Sequence, residues 1–204
     1  MGIASKILGH PRVYDTVQAL LCLGLQFDET YAWLEAHTED VVVDVGCGNG
    51  HALEYIRDFS SYHGFDVDER ATAALKNKFP GRRIDVSPEA LTAAHMMALR
   101  PNKAIAMSLL HHLDDTEVAG LLDVLASSGT VRRIITLDTV YLSGKPINNV
   151  VAFADRGRHT RTREAYLALL EDSPFRVIEE DLSNTRTRNT LLYYYSMCLA
   201  PRSV

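Results

Sequence analysis

Cysteine is scarce. The 204 residues hold three, Cys22, Cys47 and Cys198, widely spaced and without a C-x-x-C pair. An odd, scattered set supports neither a disulfide scaffold nor a thiolate zinc site, and it points to a reducing compartment, the cytoplasm. Long apolar runs are also missing: no uncharged stretch approaches the roughly 20 residues that span a bilayer. Residues 1–8 lack a charged region followed by a hydrophobic signal core, so neither a membrane span nor export is expected. Positive charge is not in excess either. Against 26 Asp+Glu stand 21 Lys+Arg, a net charge of -5, which argues against nucleic acid or anionic lipid as a partner. No repeat, low-complexity tract or Gly/Pro-rich linker divides the chain, so a single domain over residues 1–204 is expected.

What is present is alternation. Val13, Val17, Leu20, Leu21 and Leu25 recur at helical spacing and make residues 1–40 a helical cap. Five β-branched and small residues, Val41–Val45, form a strand, and a glycine cluster and a helix over 52–59 follow. Strands are expected at 62–65, 83–86, 103–107 and 133–137. The helices between them run over 69–79, from a Ser87-Pro88-Glu89 start to 99, and from an Asp114/Glu117 capping box to 125. Residues 139–161 read as an irregular excursion with one turn of helix, residues 163–171 as a helix capped by Thr162, and 176–182 with 191–199 as an antiparallel pair. The fold class is therefore α/β: a Rossmann-like, mainly parallel sheet covered on both faces, with a reversed final strand. Residues 41–138 form its cofactor-binding core and 139–204 its substrate side, the ligand lying at the carboxyl ends of the strands.

The strongest local pattern is Asp44-Val45-Gly46-Cys47-Gly48-Asn49-Gly50 after the first strand. Glycines at a strand-to-helix turn let main-chain amides approach a ligand. A dinucleotide fold starts the same way and carries an acid about 20 residues on, which Asp66 supplies. Its third glycine, however, falls at His51, whose bulk disfavours a pyrophosphate. Cys47 reads as a small structural residue within the turn.

Asp44-x-Gly46-x-Gly48-x-Gly50 resembles the first motif of the class I S-adenosylmethionine-dependent methyltransferases. Gly64-Phe65-Asp66-Val67-Asp68 resembles the end of their second strand, Asp85-Val86 the pair beside the adenine, and Ser108-Leu109-Leu110-His111-His112-Leu113 their fourth-strand segment. A terminal strand pair matches their reversed seventh strand. The segment 127–133 departs from the Pro-Gly-Gly frequent before the fifth strand. The resemblance implies a seven-stranded sheet, S-adenosylmethionine as cofactor, S-adenosylhomocysteine as product, and in-line methyl transfer to an O, N or C nucleophile of a small molecule. It implies that Gly46, Gly48 and Gly50 admit the methionine and ribose, Asp44 orients the turn or the ammonium, Asp66 with Val67 holds the ribose, Asp85 with Val86 meets the adenine, and Ser108 borders the methyl.

His111 and His112 are the candidate general bases, since an unperturbed imidazole titrates near ~6.5; adjacent residues point apart, so only one faces the acceptor. Arg158 and Arg161, in a cluster with Arg156, His159 and Arg163, are candidates to hold an anionic acceptor. Tyr14 and Gln18, one helical turn apart, are candidates for a lid over the cofactor. Asp138, Asn148 and Asn149 are oxygen donors but too few carboxylates for Mg²⁺, and no metal is assigned. Two other readings stay open: a module that binds the cofactor without turnover, and another reaction on the same fold.

Overall fold

The computed structural model describes residues 27–79, 83–154, 157–183 and 193–202. The elements, in chain order, are α1 (Asp28–Ala32), β1 (Val41–Val45), α2 (Ala52–Tyr55), β2 (Ser61–Phe65), α3 (Glu69–Lys78), β3 (Ile84–Ser87), α4 (Ala93–Leu99), β4 (Lys103–Met107), a 3₁₀ turn (Leu110–His112), α5 (Asp115–Ala126), β5 (Arg133–Thr139), α6 (Pro146–Ala154), α7 (Arg163–Ala168), β6 (Phe175–Ser183) and β7 (Tyr194–Pro201). Seven strands form one sheet in the order β3-β2-β1-β4-β5-β7-β6. The pairs from β3 to β5 are parallel, and β7 runs antiparallel to both β5 and β6. Most of the proposed helical cap, with Tyr14 and Gln18, lies outside the described residues.

Side chains alternate across the strands and divide the core in two. Val43, Ala104, Ile134, Tyr195, Met197 and Leu199 face a layer built from Met96 of α4, Val118, Leu122 and Leu125 of α5, and Tyr166 of α7. On the other face Val42, Tyr62, Ile105, Ile135 and Cys198 meet Tyr31 of α1, Leu53 of α2 and Leu75 of α3. A side chain buried this completely contributes about 1.5–3 kcal/mol. The sequence order reverses direction between β1 and β4, and the crevice at their carboxyl ends is the usual ligand position of such a sheet.

Local chemistry explains the boundaries, including those the sequence misplaces. Asp114 caps α5 in a reciprocal box with Glu117, as its spacing predicts. The helix expected from Ser87 begins later, because Ser87 pairs with Phe65 as the last residue of β3 and Thr92, boxed with His95, supplies the cap. The helix after the glycine turn stops at Tyr55, where Ile56 turns extended and buries its side chain. Residues 139–161 are more regular than their composition suggests. They contain α6, nine residues starting on Pro146, a residue preset for the first helical position.

Candidate active site

Asp44 sits two residues before the turn and is almost fully buried. Its Oδ2 accepts a hydrogen bond from the Tyr62 hydroxyl. Burial lifts its carboxyl to about 7, the nearby Asp66 charge adds to the rise, and the Tyr62 hydroxyl opposes it. Asp44 therefore serves the underside of the turn, where the sequence reading also allowed contact with an ammonium. Tyr62, which has no motif to announce it, is the partner that reading missed.

The three glycines have three different jobs. Gly46, at φ +71°, faces Leu109, whose Cδ1 would stand 3.2 Å from an added Cβ. Gly50, at φ +81°, is closed off by Leu75, whose Cγ would lie 2.8 Å from such a carbon. Its Cα side packs directly against α3. Gly48 alone of the three opens on space: an added Cβ meets nothing within 4 Å, and its N–H donates to Oδ2 of Asp66 at 2.8 Å. Cys47 is buried, with its sulfur against Gly64. Burial, with Asp44 and Asp66, pushes its thiol far up, which suits packing and not nucleophilic chemistry.

Asp66 follows β2 at the mouth of the crevice. Its other oxygen accepts the Asp68 N–H at 2.8 Å, so each carboxylate oxygen retains a lone pair for a hydroxyl. Val67, beside it, leaves 76% of its surface exposed, high for an aliphatic residue. Val86 is buried in the core. Asp85 lies opposite His63 within the strand, about 7 Å short of its end. The residue adjoining Asp66 at the end of β3 is Ser87, whose carbonyl accepts the Asp66 N–H at 3.2 Å. Asp85 itself is exposed, two residues before the end of β3. Ser108 is exposed just beyond β4, at φ +53°, a strained angle for a residue with a Cβ, and its N–H is held by the Leu137 carbonyl at 2.7 Å.

The two histidines differ in burial, although their rings lie side by side rather than apart. His111 is buried, and Oδ1 of Asp138 receives both its Nδ1 at 2.8 Å and its main-chain N–H at 3.1 Å. His112 is exposed, its ring centroid 4.1 Å from that of His111. Asp138, weighed from sequence only as a metal ligand, is instead the partner of His111. Its position after a run of apolar residues in β5, like that of Asp66 after β2, was the available signal.

The arginine cluster does not assemble as an anion site. Arg161 is buried and spends its guanidinium on the carbonyls of Leu110, Leu113 and His159 and on Oδ1 of Asp115. Arg163 pairs with Glu180 on β6. Arg158 is exposed, and Arg156 lies outside the described residues. Asn148 and Asn149 use their amides on the backbone of Val140, Leu142 and Tyr193. Among the described residues no three His, Cys, Asp or Glu side chains converge on a metal position.

Residues 42–129, the segment that builds this crevice, match the family model of a methyltransferase domain. Over that segment the chain is similar to methyltransferase domains. Solved structures agree on the fold. Magnesium protoporphyrin IX methyltransferase from Synechocystis PCC 6803, with bound S-adenosylmethionine, superposes with a TM-score of 0.62 at 16% identity over 95% of this chain and 85% of that one. Human N-acetylserotonin methyltransferase, also with the cofactor, gives 0.62 at 17% identity over 91% and 55%. A putative S-adenosylmethionine-dependent methyltransferase from Listeria monocytogenes gives 0.61 at 13% identity over 87% and 98%. No curated protein sequence matches the chain. S-adenosylmethionine is the cofactor of this class, and the crevice fits an adenosyl group. Open space over Gly48, lone pairs on Asp66 and a bare Val67 offer a cradle, a hydroxyl acceptor and an apolar rest.

Proposed function

We propose that this methyltransferase domain methylates a small-molecule O, N or C nucleophile, and that residues 1–204 act as one cytoplasmic domain. The observation that carries the reading is the convergence of Gly48, Asp66 and Val67 at the carboxyl ends of β1 and β2, beside the reversal of strand order. When bound, S-adenosylmethionine supplies an electrophilic sulfonium methyl. The chain's part is to hold and to exclude. Asp66 accepts the ribose hydroxyls, Val67 packs on the adenine, and Gly46 and Gly48 keep the turn low. Ser108 and His112 border the space where an acceptor meets the methyl in line, in a site that positions the nucleophile and keeps water out.

A small acceptor is supported by the acidic balance of the chain and by the internal use of Arg161, which is spent on carbonyls and Asp115 rather than on an anion. Two of the similar folds take their names from small acceptors, magnesium protoporphyrin IX and N-acetylserotonin. Cytoplasmic residence is supported by the scarcity of cysteine, and no helix among the described residues is long and apolar enough to cross a membrane. The test is calorimetric titration with S-adenosylmethionine, S-adenosylhomocysteine and NAD, followed by a screen of phenols, amines and carboxylic acids with methyl-labelled cofactor. Binding of the first two without NAD, and label transfer to a small acceptor, is expected. Binding of NAD alone overturns the reading.

A further inference from the structure

Seen from the 3₁₀ turn Leu110–His112, every neighbouring element holds His111 still. Asp138, at the carboxyl end of β5, takes its main-chain N–H and its Nδ1 on one oxygen. The His159 N–H donates to its carbonyl at 2.9 Å. An added Cβ on Gly157 would stand 2.0 Å from its Cδ2, so the chain at 157 lies flat on the ring. Arg161 ties down the carbonyls on both sides, Leu110 and Leu113, at 2.9 and 2.7 Å. The His112 N–H is closed onto the Leu109 carbonyl at 2.9 Å. The ring of His112 lies beside that of His111, their centroids 4.1 Å apart, and its residue stands exposed.

We propose that Asp138 is a positioning residue for the acceptor side: by holding the amide and imidazole of His111 it sets the turn that presents His112, not His111, to the acceptor. The inference rests on the methyl-transfer reading of this crevice. Oδ1 of Asp138 already accepts the His111 main-chain N–H, so Nδ1 of His111 carries a proton and donates it. That fixes the tautomer of His111 and its ring plane, the job a carboxylate does for a histidine it orients. The other oxygen, Oδ2, is buried without a hydrogen-bond partner among the described residues. A carboxamide at this position therefore keeps the acceptor oxygen on His111 and turns its NH₂ to the place of Oδ2. The hold is one of geometry, which Asn retains and Ala destroys.

The experiment uses the full chain with ¹⁵N-labelled histidine. Two-bond correlation spectra are expected to show the Nδ1–H tautomer for His111 in the native protein and in Asp138→Asn, and its loss in Asp138→Ala. In Asp138→Ala the amides of His111 and His112 exchange with solvent at least about tenfold faster, as local opening predicts. Diethyl pyrocarbonate, read by fragment mass spectrometry, should acylate His112 well before His111, and saturating S-adenosylhomocysteine should slow that acylation. An Nε2–H tautomer in the native protein overturns the proposal, as does an Asp138→Asn protein that behaves like Asp138→Ala. Binding of S-adenosylhomocysteine that leaves His112 acylation unchanged removes His112 from the site. If S-adenosylhomocysteine does not bind at all, the functional reading fails, whereas the tautomer result still decides the role of Asp138. The native protein and Asp138→Asn suffice for these tests if Asp138→Ala does not fold.

Discussion

The hydroxyl of Tyr62 donates to Oδ2 of Asp44 two residues before the glycine turn, and both side chains are closed off from water. The pair couples β2 to the underside of the ligand site through an acid whose carboxyl burial has lifted to about 7. The folded protein thus holds the Asp44 proton across a range in which the unfolded chain, with an ordinary carboxyl near 3.8, has lost it. Between these values the native state binds more protons, so the contribution of Asp44 is fully present below about pH 4 and lost as pH rises through about 7. Denaturant unfolding of Asp44→Asn at a series of pH values should lack this loss, which for one proton has a slope of at most about 1.4 kcal/mol per pH unit. An unchanged pH profile in the variant would mean that Asp44 titrates normally.

Tyr62→Phe isolates the hydrogen bond itself. It leaves a buried carboxyl oxygen without its donor, at a cost of about 1–3 kcal/mol, and should move the Asp44 titration further up. Thermal unfolding together with carboxyl NMR checks both effects.

Gly48 and Gly50 should part company on substitution. An alanine at Gly50 meets Leu75 and sits at a positive φ, so Gly50→Ala should destabilise by roughly 1–3 kcal/mol through overpacking. Gly48→Ala meets no protein atom and adds mainly backbone strain of about 1 kcal/mol, yet its methyl enters the cofactor cradle. Calorimetry with S-adenosylhomocysteine should show the larger loss of affinity in Gly48→Ala, and thermal melts the larger loss of stability in Gly50→Ala.

Asp66 carries the ribose assignment. Replacement by Ala removes the acceptor and should weaken S-adenosylhomocysteine binding by about tenfold or more, since hydrogen bonds to a charged group contribute about 1.5–3 kcal/mol each. Equal affinity in the native and variant proteins removes Asp66 from the site.

Arg161→Ala should behave as a structural lesion and not as the loss of an anion clamp. It strands the carbonyls of Leu110, Leu113 and His159, and an unsatisfied buried polar group costs about 1–3 kcal/mol. A fall in melting temperature of several degrees with unaltered S-adenosylhomocysteine affinity is expected. Asp115 is largely exposed, so Asp115→Ala should cost far less.

The sequence spoke clearly where structure is local. Residues 41–45 and 103–107 are largely apolar runs, each with one charged residue, that become β1 and β4 with the expected bounds, and the Asp114/Glu117 box starts α5 where its spacing says. Asp66 and Gly48 were legible because a motif places them next to one another in space. What the sequence hid depends on distant partners. Arg161 looks like a surface cation until Leu110 and Leu113 supply carbonyls from some fifty residues away. Asp85 reads as a strand end because nothing local says that Ser87 extends the ladder. Helix α6 was obscured by Asn148 and Asn149, poor helix formers that here brace the backbone on either side of them.

The place of β7 in the sheet has a consequence for how the molecule is made. It lies between β5 and β6, so residues 194–201 fill an interior position although they follow the other six described strands in the chain. Until they leave the ribosome, β5, which carries Asp138 and the largely apolar run Arg133–Thr139, presents an open row of amides and carbonyls. The β5 edge of the sheet is therefore completed only after the other described strands have emerged, and a nascent chain stalled before residue 194 exposes an edge ready to pair with a neighbour's.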